Sequence, residues 1–133
     1  MRDCHAYDYA VLRVVPQVER EEFINVGVIL SCPSLKFLAT RIHLDAARLQ
    51  AFAPALDDEL VRSHLESFEA VCLGGASAGP IGELPARQRF HWLVAPRSTV
   101  IQTSPAHTGW CRDPEETIER LVRQYVLAPP DPR

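Results

Sequence analysis

The sequence predicts an α+β fold: a mostly antiparallel sheet of about four strands, covered by helices on one face. Three observations carry that expectation. Aromatic and β-branched runs joined by short polar connections fill the first 42 residues. Helical periodicity with capping signals follows them. The resulting order (strand, strand, strand, helices, strand, helix) contains neither a βαβ alternation nor an internal repeat.

The first strand is Tyr7 to Val15, stopped by Pro16. Tyr7, Tyr9, Val11, Arg13 and Val15 lie on one of its faces, and Asp8, Ala10, Leu12 and Val14 on the other. Both faces are largely apolar, which places it inside the sheet. Glu22 to Cys32 is the second strand. Ile24, Val26, Val28, Leu30 and Cys32 read as one apolar stripe, with Asn25 and Gly27 side by side on the opposite face. A glycine within a strand marks a bulge or a close approach of backbone or ligand. Pro33-Ser34 turns into a third strand, about Lys36 to Ile42.

Helices come next. Asp45 caps one that runs to Phe52, and Asp57 caps another that repeats Leu60, Val61, Leu65, Phe68, Val71 and Cys72. Leu73-Gly74-Gly75 ends it, and Ala76 to Gly82 is loop. Leu84 to Leu93 is a further helix, and Thr99 to Thr103 a strand closed by Ser104-Pro105. The last helix has the fullest signals: Asp113 as cap, Pro114 at the first position, Glu116 completing a capping box, and Ile118, Leu121, Val122, Tyr125 and Val126 as its buried stripe. Residues 1–127 are expected to form one domain, with 128–133 a proline-rich, frayed tail.

Composition narrows the function classes. A net charge of −3 over 133 residues provides no global field for nucleic acid or an anionic membrane. No apolar run reaches the roughly 18 residues of a membrane helix. The opening Met1-Arg2-Asp3-Cys4-His5 is not a signal segment, so a cytoplasmic location with Cys4, Cys32, Cys72 and Cys111 as free thiols is expected.

Charge is unevenly distributed along the chain. Leu84 to Arg112 contains no acid and carries Arg87, Arg89, Arg97 and Arg112, for +4; residues 1–83 sum to −5 and residues 113–133 to −2. Ser98, Thr99, Gln102, Thr103, Ser104 and Thr108 supply donors nearby. Arginine forks beside hydroxyls suit phosphate or carboxylate; the plainer alternative is that these arginines are solvated or pair with acids of neighbouring helices. The expected ligand-binding set is Arg13, Asn25, Gly27, Arg89, His91, Arg97, Ser98, Thr99 and Gln102.

The glycine-rich Gly74 to Gly82 lacks the Gly-Lys-Ser/Thr ending of a phosphate loop, so a connector is expected. Cys4, His5, His107 and Cys111 could converge on zinc if His107-x-x-x-Cys111 spans a helical turn, although adjacent ligands are awkward; neither metal nor cofactor is expected. His91, His107 and Cys111 are the candidates for catalysis, as acid–base groups or a nucleophile on a phosphorylated substrate. His64 is expected in the core and His43 on the surface.

Several blocks of the chain carry a resemblance. Tyr7 to Pro16, Arg20 to Val28, Gly79-Pro80-Ile81-Gly82, Arg89 to Leu93, Ala95 to Thr99, Gln102, Ser104-Pro105, His107 and Cys111 to Pro114 together resemble bacterial domain-of-unknown-function family 3037. The resemblance implies a cytoplasmic bacterial protein of one domain and brings no assigned activity or catalytic residue. Members are sometimes encoded near proteins resembling HipA-type kinases, which implies a kinase-like partner. The sequence thus leads to a binding or regulatory module for an anionic ligand or a protein partner. A small enzyme is the alternative, and a homodimer burying Trp92 and Trp110 is a third.

Overall fold

The computed structural model describes residues 3–127, so the expected frayed tail at 128–133 lies outside the described residues. Five strands form one antiparallel sheet: β1 (His5–Val14), β2 (Ile24–Cys32), β3 (Phe37–Ile42), β4 (Ile101–Thr103) and β5 (His107–Cys111). The order is β3-β2-β1-β4, with β5 also paired to β1. β4 lies along the C-terminal half of β1 and β5 along its N-terminal half, so together they act as one interrupted strand. Five helices accompany them: α1 (Ala46–Phe52), α2 (Asp58–Leu73), α3 (Gly79–Gly82), α4 (Ala86–Leu93) and α5 (Pro114–Tyr125).

The α+β class and the antiparallel sheet are as the sequence predicts, and Asp45, Asp57 and Asp113 cap α1, α2 and α5 through their carboxylates. In the last cap, Thr117 Oγ1 donates to the Asp113 carbonyl, and no bond from Glu116 back to Asp113 forms. The short 3-10 turn Ala76–Ala78 and α3 make the glycine-rich segment more ordered than the expected loop, and Gly75 N–H closes it on the Gly82 carbonyl at 2.8 Å. β5 was not expected as a strand, because Gly109 interrupts its pattern. That glycine sits opposite Tyr7, whose ring fills the space a side chain would need.

Helices cover both faces of the sheet rather than one. Ala10, Leu12 and Val14 of β1 pack with α2, α4 and Leu49 of α1. Tyr7, on the opposite face, packs with Ile118, Leu121, Val122 and Val126 around α5. Burying each of those four aliphatic side chains contributes about 1.5–3 kcal/mol before entropy. The cause of the two-sided cover lies in β2. Leu12 pairs with Gly27 but Arg13 pairs with Asn25, so Val26 is an extra residue, a β-bulge. The stripe read as continuous is therefore split: Ile24 and Val26 join the α1–α4 core, and Val28, Leu30 and Cys32 join the α5 core. The bulge also places Asn25 and Gly27 on opposite faces instead of side by side.

At the break between β4 and β5, Ser104 stands in for a ladder partner. Its N–H donates to the Val11 carbonyl at 2.8 Å, and its Oγ accepts from the buried Val11 N–H at 2.9 Å. Ser104→Ala leaves that donor unsatisfied and should destabilise the fold by about 1–3 kcal/mol. Chemical denaturation measures it, and a loss within experimental error would contradict the assignment.

Candidate functional site

The sequence-predicted residues do not gather in one place; the sheet divides them. Arg13, Asn25, Gln102 and His107 lie on the α5 side, because β1 pairs Arg13 with Asn25 on one flank and with Gln102 on the other, and Tyr9 with His107. Gly27, Arg89, His91, Arg97 and the Ser98-Thr99 segment belong to the α1–α4 side.

Most of that second group has a structural explanation. An added Cβ on Gly27 would stand 2.7 Å from the Arg41 carbonyl, so this glycine admits β3 rather than a ligand. Arg89 donates to the carbonyls of Leu84 (2.9 Å), Val71 (3.0 Å) and Cys72 (2.6 Å), closing the end of α2. Gly74, at φ 81°, leaves the room its guanidinium occupies. Arg87 bridges Asp8 (2.5 Å) and Ser31 (2.9 Å), a cross-strand pair, and so ties α4 to the sheet. Arg97 donates to the carbonyls of Trp92 and Ala95 at the end of α4. Thr99 Oγ1 is bonded to the Ile101 carbonyl, and Ser98 is exposed. His91 is exposed on α4, and His64, expected in the core, is exposed on α2.

The zinc arrangement does not form. His107 and Cys111 sit on a strand, where four residues span about 13 Å, not on a helical turn. His5 bonds Ser34 at 2.8 Å while Cys111 is buried under α5. No group of three or more His, Cys, Asp or Glu is gathered for a metal among the described residues. Burial raises the Cys111 thiol above its ordinary value, helped by the neighbouring Cys32, and pushes Cys72 up to about 12. Neither is prepared to act as a nucleophile.

What remains is a strip on the α5 side. α5 lies over β2 and β3, leaving partly open a row that runs from His107 and Tyr9 through Gln102 and Arg13 to Asn25 and Phe23. The Tyr9 ring stacks on His107 at 5.3 Å, and its hydroxyl bonds that of Tyr125 at 2.9 Å. The Arg13 guanidinium lies over the exposed Phe23 ring at 4.0 Å, a cation–π contact. Asn25 Nδ2 donates to the Tyr125 carbonyl at 3.1 Å, fixing the amide at the end of α5. Two atoms there are buried without a partner among the described residues: Arg13 Nε, a donor, and Asn25 Oδ1, an acceptor. Native proteins leave few such groups, and each calls for a missing partner. Tyr9 and Phe23 are the members of this strip outside the residues expected from the sequence; for Phe23, its place at the head of β2, two residues before Asn25, was the available signal.

Among the described residues, five arginines are half-buried: Arg13, Arg41, Arg87, Arg89 and Arg97. Arg41 meets Glu115 at 2.6 Å and Glu119 at 2.9 Å, and the acceptors of the next three are given above. Arg13 alone among the five has no hydrogen-bond acceptor among the described residues.

Burial, then the bond to Tyr125, raises the Tyr9 hydroxyl from its ordinary value to about 12. Neutral Tyr9 therefore stabilises the fold below the ordinary tyrosine value of about 10, and that contribution is lost as pH rises towards 12. In an ultraviolet pH titration, Tyr125→Phe removes one phenol and should bring the Tyr9 transition to lower pH; a Tyr9 transition that stays near pH 12 would separate Tyr9 from Tyr125.

A family model described as "Protein of unknown function (DUF3037)" matches residues 9–126 of the chain. No curated protein and no solved structure matches it.

Proposed function

The chain belongs to the family described as Protein of unknown function (DUF3037), and from its geometry we propose that it is a binding or regulatory module. It recognises an anionic group, on a small molecule or on an acidic segment of a protein partner, with Arg13 as the charge-bearing contact. The observation that carries this reading is the half-buried Arg13 guanidinium, which has no acceptor among the described residues although each of its four counterparts has at least one.

The chemistry follows from the unpaired atoms. Arg13 offers a planar fork suited to carboxylate or phosphate. Asn25 Oδ1 accepts a hydrogen bond from an N–H or O–H on the same ligand. Phe23 supplies an apolar platform beside the charge, and Gln102 and His107 border the strip on the β4–β5 flank. A kinase-like protein, the partner implied by the family resemblance, would meet this surface with an acidic segment, in the cytoplasm of a bacterium. Recognition is favoured over acid–base catalysis because His91 and His107 stand on opposite sides of the sheet, and Cys111 is buried with a raised thiol.

A thermal-shift panel of inorganic phosphate, nucleoside phosphates and glutamate-rich peptides tests the proposal, since a ligand of the native state raises the melting temperature by mass action. The expected result is a stabilising anion whose effect disappears in Arg13→Met. Losing a charge-assisted contact should weaken binding about tenfold or more. Without ligand, Arg13→Met should melt at the same temperature or higher, because it removes a buried donor that has no acceptor. A ligand that stabilises Arg13→Met as well as the parent protein would refute the assignment.

A further inference from the structure

A second site lies on the other side of the sheet, where α2, α4 and β4 line an open pocket of about 170 Å³. Its inner wall is apolar: Phe68 and Val71 from α2, Leu93 from α4 and Ile101 from β4, all buried core residues. Its rim is polar and contains no aspartate or glutamate. Arg97, His64, Ser67 and Thr103 stand there beside the half-exposed Trp92.

Arg97 is the fixed cation of that rim. Its Nε donates to the Ala95 carbonyl at 3.3 Å and its Nη2 to the Trp92 carbonyl, while the guanidinium lies 4.7 Å from the Trp92 ring centroid. These carbonyls close the C-terminal end of α4, where the helix dipole favours a positive charge. Two of the three nitrogens thus hold the side chain in place, and Nη1 has no partner among the described residues. The Ser67 hydroxyl and His64 ring, one helical turn apart on α2, also make no hydrogen bond to a described residue. A held cation with unused donors over an apolar, acid-free cavity is a receptor for an amphiphilic anion.

Size narrows the ligand further. A cavity of about 150 Å³ lined by aliphatic and aromatic side chains takes up benzene, so the apolar floor of this open pocket has room for a body of about six carbons. We propose that the cavity binds a small monocarboxylate with a benzene-sized apolar body, the ring or branched chain lying against Phe68, Val71, Leu93 and Ile101 and the carboxylate meeting Arg97 Nη1 and the Ser67 hydroxyl. Arg13 lies on the opposite face of the sheet and does not line this cavity; Gln102, on the β4 edge, borders both sites.

Benzoate is the probe, with benzyl alcohol (ring without charge) and acetate (charge without ring) as controls, titrated into the full chain by calorimetry and by NMR. Benzoate is expected to bind at least about tenfold more tightly than either control and to shift the Trp92 indole and Val71 methyl signals. Arg97→Met, which keeps an unbranched side chain on Trp92 but removes the charge, should reduce benzoate to the level of benzyl alcohol. Arg13→Met should leave benzoate binding unchanged. Equal affinity for benzoate and acetate, or shifts at Phe23 in place of Trp92 and Val71, would overturn the proposal. Should Arg97→Met fail to fold, the shift map of the parent protein decides alone.

Discussion

One extra residue in β2 governs the arrangement of this molecule. Side chains alternate strictly along a strand, so a single inserted residue reverses which face each later side chain meets. Val26 is that residue. Before it, Ile24 faces the α1–α4 core; after it, Val28, Leu30 and Cys32 face α5. Without the bulge, Ile24, Val26, Val28, Leu30 and Cys32 would share one face instead of being divided between the two cores. The same reversal keeps Asn25 on the α5 side, level with Arg13, while Gly27 turns away towards β3. Fold and recognition strip therefore share one cause.

The arginines show how charge along a chain differs from charge in space. The acid-free segment from Leu84 to Arg112 looks like an anion site in sequence. In the structure, Arg87 finds Asp8 from the other end of β1, and Arg89 and Arg97 fasten the ends of α2 and α4 through backbone carbonyls. Guanidinium suits this work because its planar fork can satisfy several carbonyls at once. Arg13 lies in a stretch with no local charge excess. It is distinguished only by what it lacks, which depends on neighbours more than ten residues away.

Much of the fold was legible locally. β1, β2, β3, α1, α2, α4 and α5 follow from alternation, apolar periodicity and the three aspartate caps, all short-range signals. The bulge was legible only in part: Gly27 marks a bulge or a close approach, but Ile24, Val26, Val28, Leu30 and Cys32 read as one unbroken stripe, and the inserted residue shows only against a partner strand. β5 was missed for a related reason: Gly109 is tolerated in a strand because Tyr7 covers it from across the ladder. Of the site, Arg13, Asn25 and Gln102 were named from the sequence and do share a face. Their separation from Arg89, Arg97 and His91 follows from sheet topology, which residue types alone do not encode.

The most direct test of the account is an NMR spectrum of arginine Nε–H and asparagine side-chain amide groups, recorded as inorganic phosphate is added to saturation. Arg13 Nε and Asn25 Oδ1 are the unpaired atoms of the strip, so the Arg13 Nε–H and Asn25 side-chain NH2 signals should move together, while Arg89 Nε–H, held by the Leu84 carbonyl, stays fixed. Arg13 and Asn25 signals that remain still at saturating phosphate, or that move no more than that of Arg89, would contradict the assignment of this strip as the recognition surface.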